Sequence, residues 1–227
     1  MQQFSLQHYA ALLATALAAV VLVALARGGR GDHAVALARG LAIVIVLAYL
    51  AEHLAYVDRD TWTVRRNLPL HLTDAVALVA VAALWRPRTA FLLELLYFWS
   101  LSASLQAVLT PGVAEPFPHV LYFTYFIVHS GPIVAVCLLV LGCRRLPRPG
   151  AVWHVYGLTV AFAAVAAIGT VVTGGNYMFL RRKPPESSLL DVMGPWPWYI
   201  LAAAALALAM FLALEALAHV IRSRRVV

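Results

Sequence analysis

Seven polar-poor runs recur along this chain, near Tyr9–Ala26, Ala34–Tyr56, Leu68–Trp85, Thr89–Leu109, His119–Leu141, Val152–Val172 and Trp196–His219. Each meets the roughly 17–25 residues that a helix needs to cross the hydrocarbon of a bilayer. The pattern predicts an all-α, polytopic membrane protein, a bundle of seven transmembrane helices making one transmembrane domain over residues 1–227. The first run ends in small residues, as a signal peptide does. Its leading stretch MQQFSLQHY carries no Lys or Arg, however, and the run is long for a signal core, so it is read as a membrane helix.

Composition agrees. Hydrophobic residues make up 63% of the chain and charged ones 12%, and the mean hydropathy is +0.84. So few charges cannot cover a water-soluble domain of this size. The basic residues set an orientation. With the N-terminus outside, the cytoplasmic segments carry eleven arginines: Arg27, Arg30, Arg39, Arg86, Arg88, Arg144, Arg145, Arg148, Arg222, Arg224 and Arg225. The other side holds six cations, Arg59, Arg65, Arg66, Arg181, Arg182 and Lys183. The expectation is N-out and C-in. The net charge of +7 then reflects topology, and no nucleic-acid partner is expected. Cys137 and Cys143, six apart on one helix, face different directions and read as small apolar residues.

Connections are short, with no soluble domain and no repeat. The longest, Thr173–Pro195, reads TGGNYMFLRRKPPESSLLDVMGP. Gly174 and Gly175 stop the sixth helix, Pro184 and Pro185 enforce an extended turn, and ESSLLDVMG is suited to a brief helix capped by a serine. Trp196, Trp198 and Tyr199 follow as aromatic anchors for the headgroup level.

The unusual polar residues gather on one side of this topology. Glu52 and His53 close the second run, and His71, Thr73 and Asp74 open the third. Gln106 lies near the outer end of the fourth, His129 sits inside the fifth, and Asn176 and Tyr177 follow the sixth. Only Glu94 is clearly on the other side. An ionisable side chain at the centre of a membrane helix costs roughly 2.5–3.5 kcal/mol on insertion scales, so such groups face the bundle interior and pair. Drawn from several runs, they imply a shared polar pocket open to the outer leaflet. The plainer alternative is that each snorkels to the interface or bonds a neighbour for packing alone.

His129 is followed by Gly131 and Pro132, and a proline there cannot donate to the carbonyl of Val128, so a kink is expected beside the histidine. His71 and Asp74 share a helix face, whereas Thr73 lies about 160° from the first and about 100° from the second on an ideal helix. The plain reading of Thr73 is a bond back to its own helix. The chemical readings are two. Thr73 becomes a nucleophile if His129 or His71 takes its proton, with Asp74 or Glu52 orienting the imidazole. Alternatively His53, His71, Asp74, Glu52 and His129 hold a divalent metal. No HExxH or comparable spacing is present, and no cofactor is assigned. Seven-helix zinc amidases of the ceramidase type carry paired histidines in the last helix, where this chain has only His219.

The motifs LPLHLTD, LQAVLTPG (Leu105–Gly112), FIVHSGPIV (Phe126–Val134) and NYMFLRRKPPESSLLDVMGPWPWYI (Asn176–Ile200) together resemble the bacterial YwaF-like integral membrane family. Its eukaryotic relative is transmembrane protein 164, regarded as an acyltransferase that moves a fatty acyl chain between phospholipids. The resemblance implies a nucleophile in the LPLHLTD motif and a histidine at His129. Where that relative carries a cysteine, this chain has Thr73. The androgen-induced membrane hydrolases of fatty esters, distantly similar, are proposed to use a Thr–His pair.

The reading reached is a lipid-handling enzyme, transferring an acyl group or hydrolysing an ester on a (lyso)phospholipid or fatty ester. Thr73 attacks, His129 serves as base and then acid, and His71, Asp74 or Glu52 orients or stabilises. His53 and Gln106 line the same region, and Asn176 is a candidate donor to the oxyanion. Arg181, Arg182 and Lys183 meet a lipid phosphate, or anchor the surface. The rivals are a transporter or lipid-binding protein using the same pocket without bond breaking, and a scaffold whose polar groups only pack.

Overall fold

The structure, a computed structural model, describes residues 3–29, 31–112, 115–185 and 187–224. Arg30 and Arg225, used above for orientation, and Glu186 of the expected short helix lie outside the described residues. Among the described residues the chain is helical with no strand. Six helices are long and apolar enough to cross a membrane: α1 (Leu6–Gly28), α2 (Gly31–Asp58), α4 (Ala90–Leu109), α5 (Val120–Gly142), α6 (Ala151–Thr173) and α7 (Trp198–Ser223). A shorter apolar helix, α3 (Leu72–Trp85), lies between the second and third of these.

α3 differs from expectation. It has 14 residues and begins four later than the apolar run, giving a length of about 21 Å against a hydrocarbon core of about 30 Å. The reason is Pro69, which lacks an N–H and pushes the residue before it out of helical geometry. The stretch from Asn67 to His71 is therefore irregular, with Leu70 N donating to Leu68 O at 2.7 Å.

Two compact units make up the chain. Unit 1 comprises Met1–Thr61 and Thr73–Pro147, and therefore α1 to α5. Within it α2 and α5 share the most extensive helix contact. They cross at Gly131, where a Cβ would stand 2.7 Å from Cγ1 of the fully buried Ile45. Only a residue without a side chain permits that approach. α5 continues through Pro132 and passes into a π turn at Cys137–Gly142. α4 carries a π turn too, Ser100–Ser104, in which the Ser100 and Ser102 hydroxyls each donate to the carbonyl four residues back at 2.6 Å. Hydroxyls buried among apolar side chains are satisfied in this way by their own helix.

Unit 2 comprises Trp62–Leu72 and Arg148–Val227, with α6 and α7. α6 ends at Gly174, whose φ of 71° is the left-handed geometry expected of a helix stop. The next residue, Gly175, packs against the backbone of the 62–72 segment: a Cβ there would stand 2.4 Å from the Arg65 carbonyl oxygen. Tyr177 ties the same segment down. Its hydroxyl donates to Val64 O at 2.5 Å and accepts from Leu68 N at 3.2 Å. The brief helix expected in ESSLLDVMG is a 3-10 turn over Leu189–Met193, and the Ser188 N–H before it donates to the Asp191 carboxylate at 2.8 Å. Trp196 and Trp198 are exposed, at 62% and 64%, as anchors in a headgroup layer would be.

Candidate functional site in unit 1

His129 stands on α5 one turn beyond Tyr125. Its Nδ1 lies 2.8 Å from the Tyr125 carbonyl oxygen, and the two rings stack with centroids 4.2 Å apart at 22°. A carbonyl oxygen only accepts, so Nδ1 carries the hydrogen. The neutral ring then presents Nε2 as a proton acceptor, which is the tautomer a general base requires. Tyr125 is itself held, its hydroxyl donating to Ala107 O at 2.9 Å and accepting from Gly112 N at 3.2 Å.

The same device recurs on α2. His53 Nδ1 is 3.1 Å from the Tyr49 carbonyl oxygen, with ring centroids 4.5 Å apart. A Tyr-x-x-x-His spacing on a helix puts the two side chains on one face. Sequence reasoning singled out both histidines and missed both tyrosines, although the four-residue interval was there to be read. His8 makes a contrast. It is fully buried, with Nδ1 accepting from Phe4 N at 3.0 Å and Nε2 on Val108 O at 2.8 Å. Both its nitrogens are spent on backbone, which is a packing role.

Thr73 and Asp74 occupy the first turn of α3, both half-buried. The hydroxyls of Thr15, Thr110, Thr159 and Thr173 each donate to the carbonyl four residues back, at 2.7 to 2.9 Å. Thr73 makes no such bond among the described residues. The plain expectation for it, bonding to its own helix, is therefore not met: a residue in the first turn has no helical carbonyl one turn behind it. Asp74 is within electrostatic range of Glu52, and both carboxyls act on the Tyr49 and Tyr56 phenols. Glu52, Asp74, Tyr49 and Tyr56 therefore form one polar neighbourhood in unit 1. At its exposed edge Arg59 pairs with Glu115 at 2.8 Å and reaches His119 Nε2 at 2.9 Å. Gln106 is half-buried, and its backbone carbonyl accepts both the N–H and the hydroxyl of Thr110 at 2.9 Å. Glu94, fully buried on α4, is apart from these residues in sequence.

The LPLHLTD motif divides at Leu72, and His71 belongs to unit 2. Its Nδ1 accepts from Met178 N at 3.3 Å, and its ring meets those of Tyr177 and Phe179, with centroids 5.3 and 5.6 Å away. Because Nδ1 accepts, the hydrogen of this ring is on Nε2, a donor and not a base. The turn it contacts is strained: Met178 and Phe179 have φ of 50° and 56°, which non-glycine residues rarely adopt. Asn176 closes that turn. Its Oδ1 accepts from Arg181 N and Arg182 N at 3.0 and 3.1 Å, and Nδ2 donates to Arg182 O at 2.8 Å. The Tyr199 hydroxyl donates to Phe179 O. Arg181 and Arg182 are thereby presented at the surface. Lys183 leans over the Tyr199 ring, 5.6 Å from its centroid, and donates to Asp191 O at 3.3 Å.

Two open apolar grooves in unit 1 are lined by neither Thr73 nor His129, Glu52 nor Asp74. Cys137 and Cys143 are free thiols. Among the described residues no group of three or more His, Cys, Asp or Glu side chains is placed to hold a metal ion.

The model of the TMEM164 family matches residues 3–215. The chain belongs to the TMEM164 family. The match takes in all seven helices of this family member except the end of α7, so the polar residues of both units lie inside it. No curated protein and no solved structure matches the chain.

Proposed function

We propose that this member of the TMEM164 family is a lipid acyl-transfer or ester-hydrolysing enzyme working through Thr73 and His129. The observation that carries the reading is the Nδ1 bond of His129 to the Tyr125 carbonyl. It supports a base role because it leaves Nε2 as the basic nitrogen. Thr73, the hydroxyl in the motif where the eukaryotic relative carries a cysteine, makes no bond to its own helix that would compete.

In the first half-reaction the Thr73 oxygen attacks the ester carbonyl of a phospholipid or fatty ester while His129 Nε2 takes its proton. The bond from the carbonyl carbon to the alcohol oxygen breaks, and that oxygen recovers the proton from the imidazolium. The acyl-threonine is then resolved by a lysophospholipid hydroxyl in transfer, or by water in hydrolysis, with His129 again as base. Asp74 and Glu52 favour the transient imidazolium by charge. In unit 2 the turn closed by Asn176 and His71 presents Arg181 and Arg182 to a lipid phosphate.

The finer topology belongs to the same proposal: seven spans, N-out and C-in, in a bacterial cytoplasmic membrane. α3 makes the seventh, and the irregular stretch before it tolerates membrane depth because its Leu68 and Leu70 N–H groups are bonded.

The test is turnover. Purified protein is incubated with a phospholipid labelled in its acyl chain, with and without a lysophospholipid acceptor. Released fatty acid or a transferred chain, lost in Thr73→Ala and His129→Ala, is the expected result. Bound lipid with no turnover favours transport or binding and rejects the enzyme.

A further inference from the structure

One end of unit 1 holds an open groove of about 470 Å³, between α1 and the π turn that ends α5. Ala19, Val20, Val23 and Ala24 form one side, Cys137 and Leu141 the other, and Arg27 stands at the end. The two alanines leave the space, since a larger side chain at either position would enter it. Arg27 is held in place by its Nε, which donates to the Leu141 carbonyl at 3.1 Å. Its two Nη groups make no bond among the described residues. A guanidinium fixed by one nitrogen keeps four N–H donors in a planar fork, the geometry that meets a phosphate in two places.

We propose that this groove is a binding site for an anionic phospholipid, with an acyl chain along the aliphatic walls and the phosphate on Arg27. The order of chemistry along the groove is that of a lipid, apolar for its length and cationic at one end. Among the described residues no carboxylate lines it, so none of them meets the ammonium of a zwitterionic headgroup. That absence makes the preference anionic. The groove shares no residue with the Thr73–His129 site, so this binding is independent of any acyl chemistry.

Native mass spectrometry of the full-length protein, delipidated in detergent and offered phosphatidylglycerol and phosphatidylcholine at equal concentration, tests it. The wild type retains the anionic lipid roughly fivefold to tenfold over the zwitterionic one, the effect of one charge-assisted contact. Arg27→Gln brings that ratio close to one, and Arg27→Lys keeps part of it. Ala24→Leu, which adds bulk inside the groove on a helix that accepts leucine readily, lowers the number of lipids retained by one. Millimolar inorganic phosphate does not displace the lipid, because the chain supplies most of the contact; displacement would reduce the site to a phosphate contact and overturn the proposal. The proposal also fails if Arg27→Gln, folded by its melting temperature, keeps the wild-type ratio. It fails equally if Ala24→Leu retains lipid as the wild type does.

Discussion

The Nδ1 hydrogen of His129 is bonded to the carbonyl oxygen of Tyr125, 2.8 Å away, and the imidazole lies stacked on the tyrosine ring. Ring orientation and tautomer are therefore set inside one helix turn. A base that must pay nothing to reach its working orientation acts more effectively than one that wanders.

That arrangement separates two substitutions of Tyr125. Tyr125→Phe keeps the ring and loses the hydroxyl bonds to Ala107 and Gly112, so stability falls by about 1 kcal/mol while turnover is nearly kept. Tyr125→Ala keeps the main-chain carbonyl that holds Nδ1 but removes the ring stacked on the imidazole, and kcat falls on the order of tenfold with little change in KM. Steady-state kinetics and a thermal melt of the two variants read the difference.

Thr73 gives a graded series. Thr73→Ala abolishes turnover, Thr73→Ser retains part of it, and Thr73→Cys keeps or raises it, because a thiol needs less help from a base to become a nucleophile. The pH profile of Thr73→Cys shifts to lower pH than the wild type. A cysteine variant as dead as the alanine would argue against a nucleophile at this position.

Where α2 and α5 cross, Gly131 tolerates no side chain without moving the buried Ile45. Gly131→Ala is expected to cost about 1–3 kcal/mol by overpacking. Ile45→Val in the same protein recovers part of the loss, because it removes the Cδ1 methyl that the added methyl meets at 2.9 Å. A double-mutant cycle on unfolding midpoints measures the coupling.

The helices were legible because membrane spans declare themselves by length and polarity alone, and α1, α2 and α4 to α7 lie within a few residues of the expected runs. α3 was misjudged at its start, since hydropathy does not register that Pro69 breaks the helix. The local geometry around His129 was half legible: Pro132 drew attention to it, while the tyrosine four residues earlier was not singled out. The part Asn176 plays in closing its turn could not be read from spacing. Its bonds to Arg181 and Arg182 depend on the left-handed conformation of Met178 and Phe179, which nothing about those side chains announces.

The most direct measurement is a search for the acyl-enzyme. Protein mixed briefly with a phospholipid, quenched in acid and digested, should yield the peptide containing Thr73 with one fatty acyl group esterified to that residue. The adduct should be absent from Thr73→Ala and strongly reduced in His129→Gln. Turnover of the lipid with no acyl group on Thr73, or an adduct of equal yield without His129, would contradict the account.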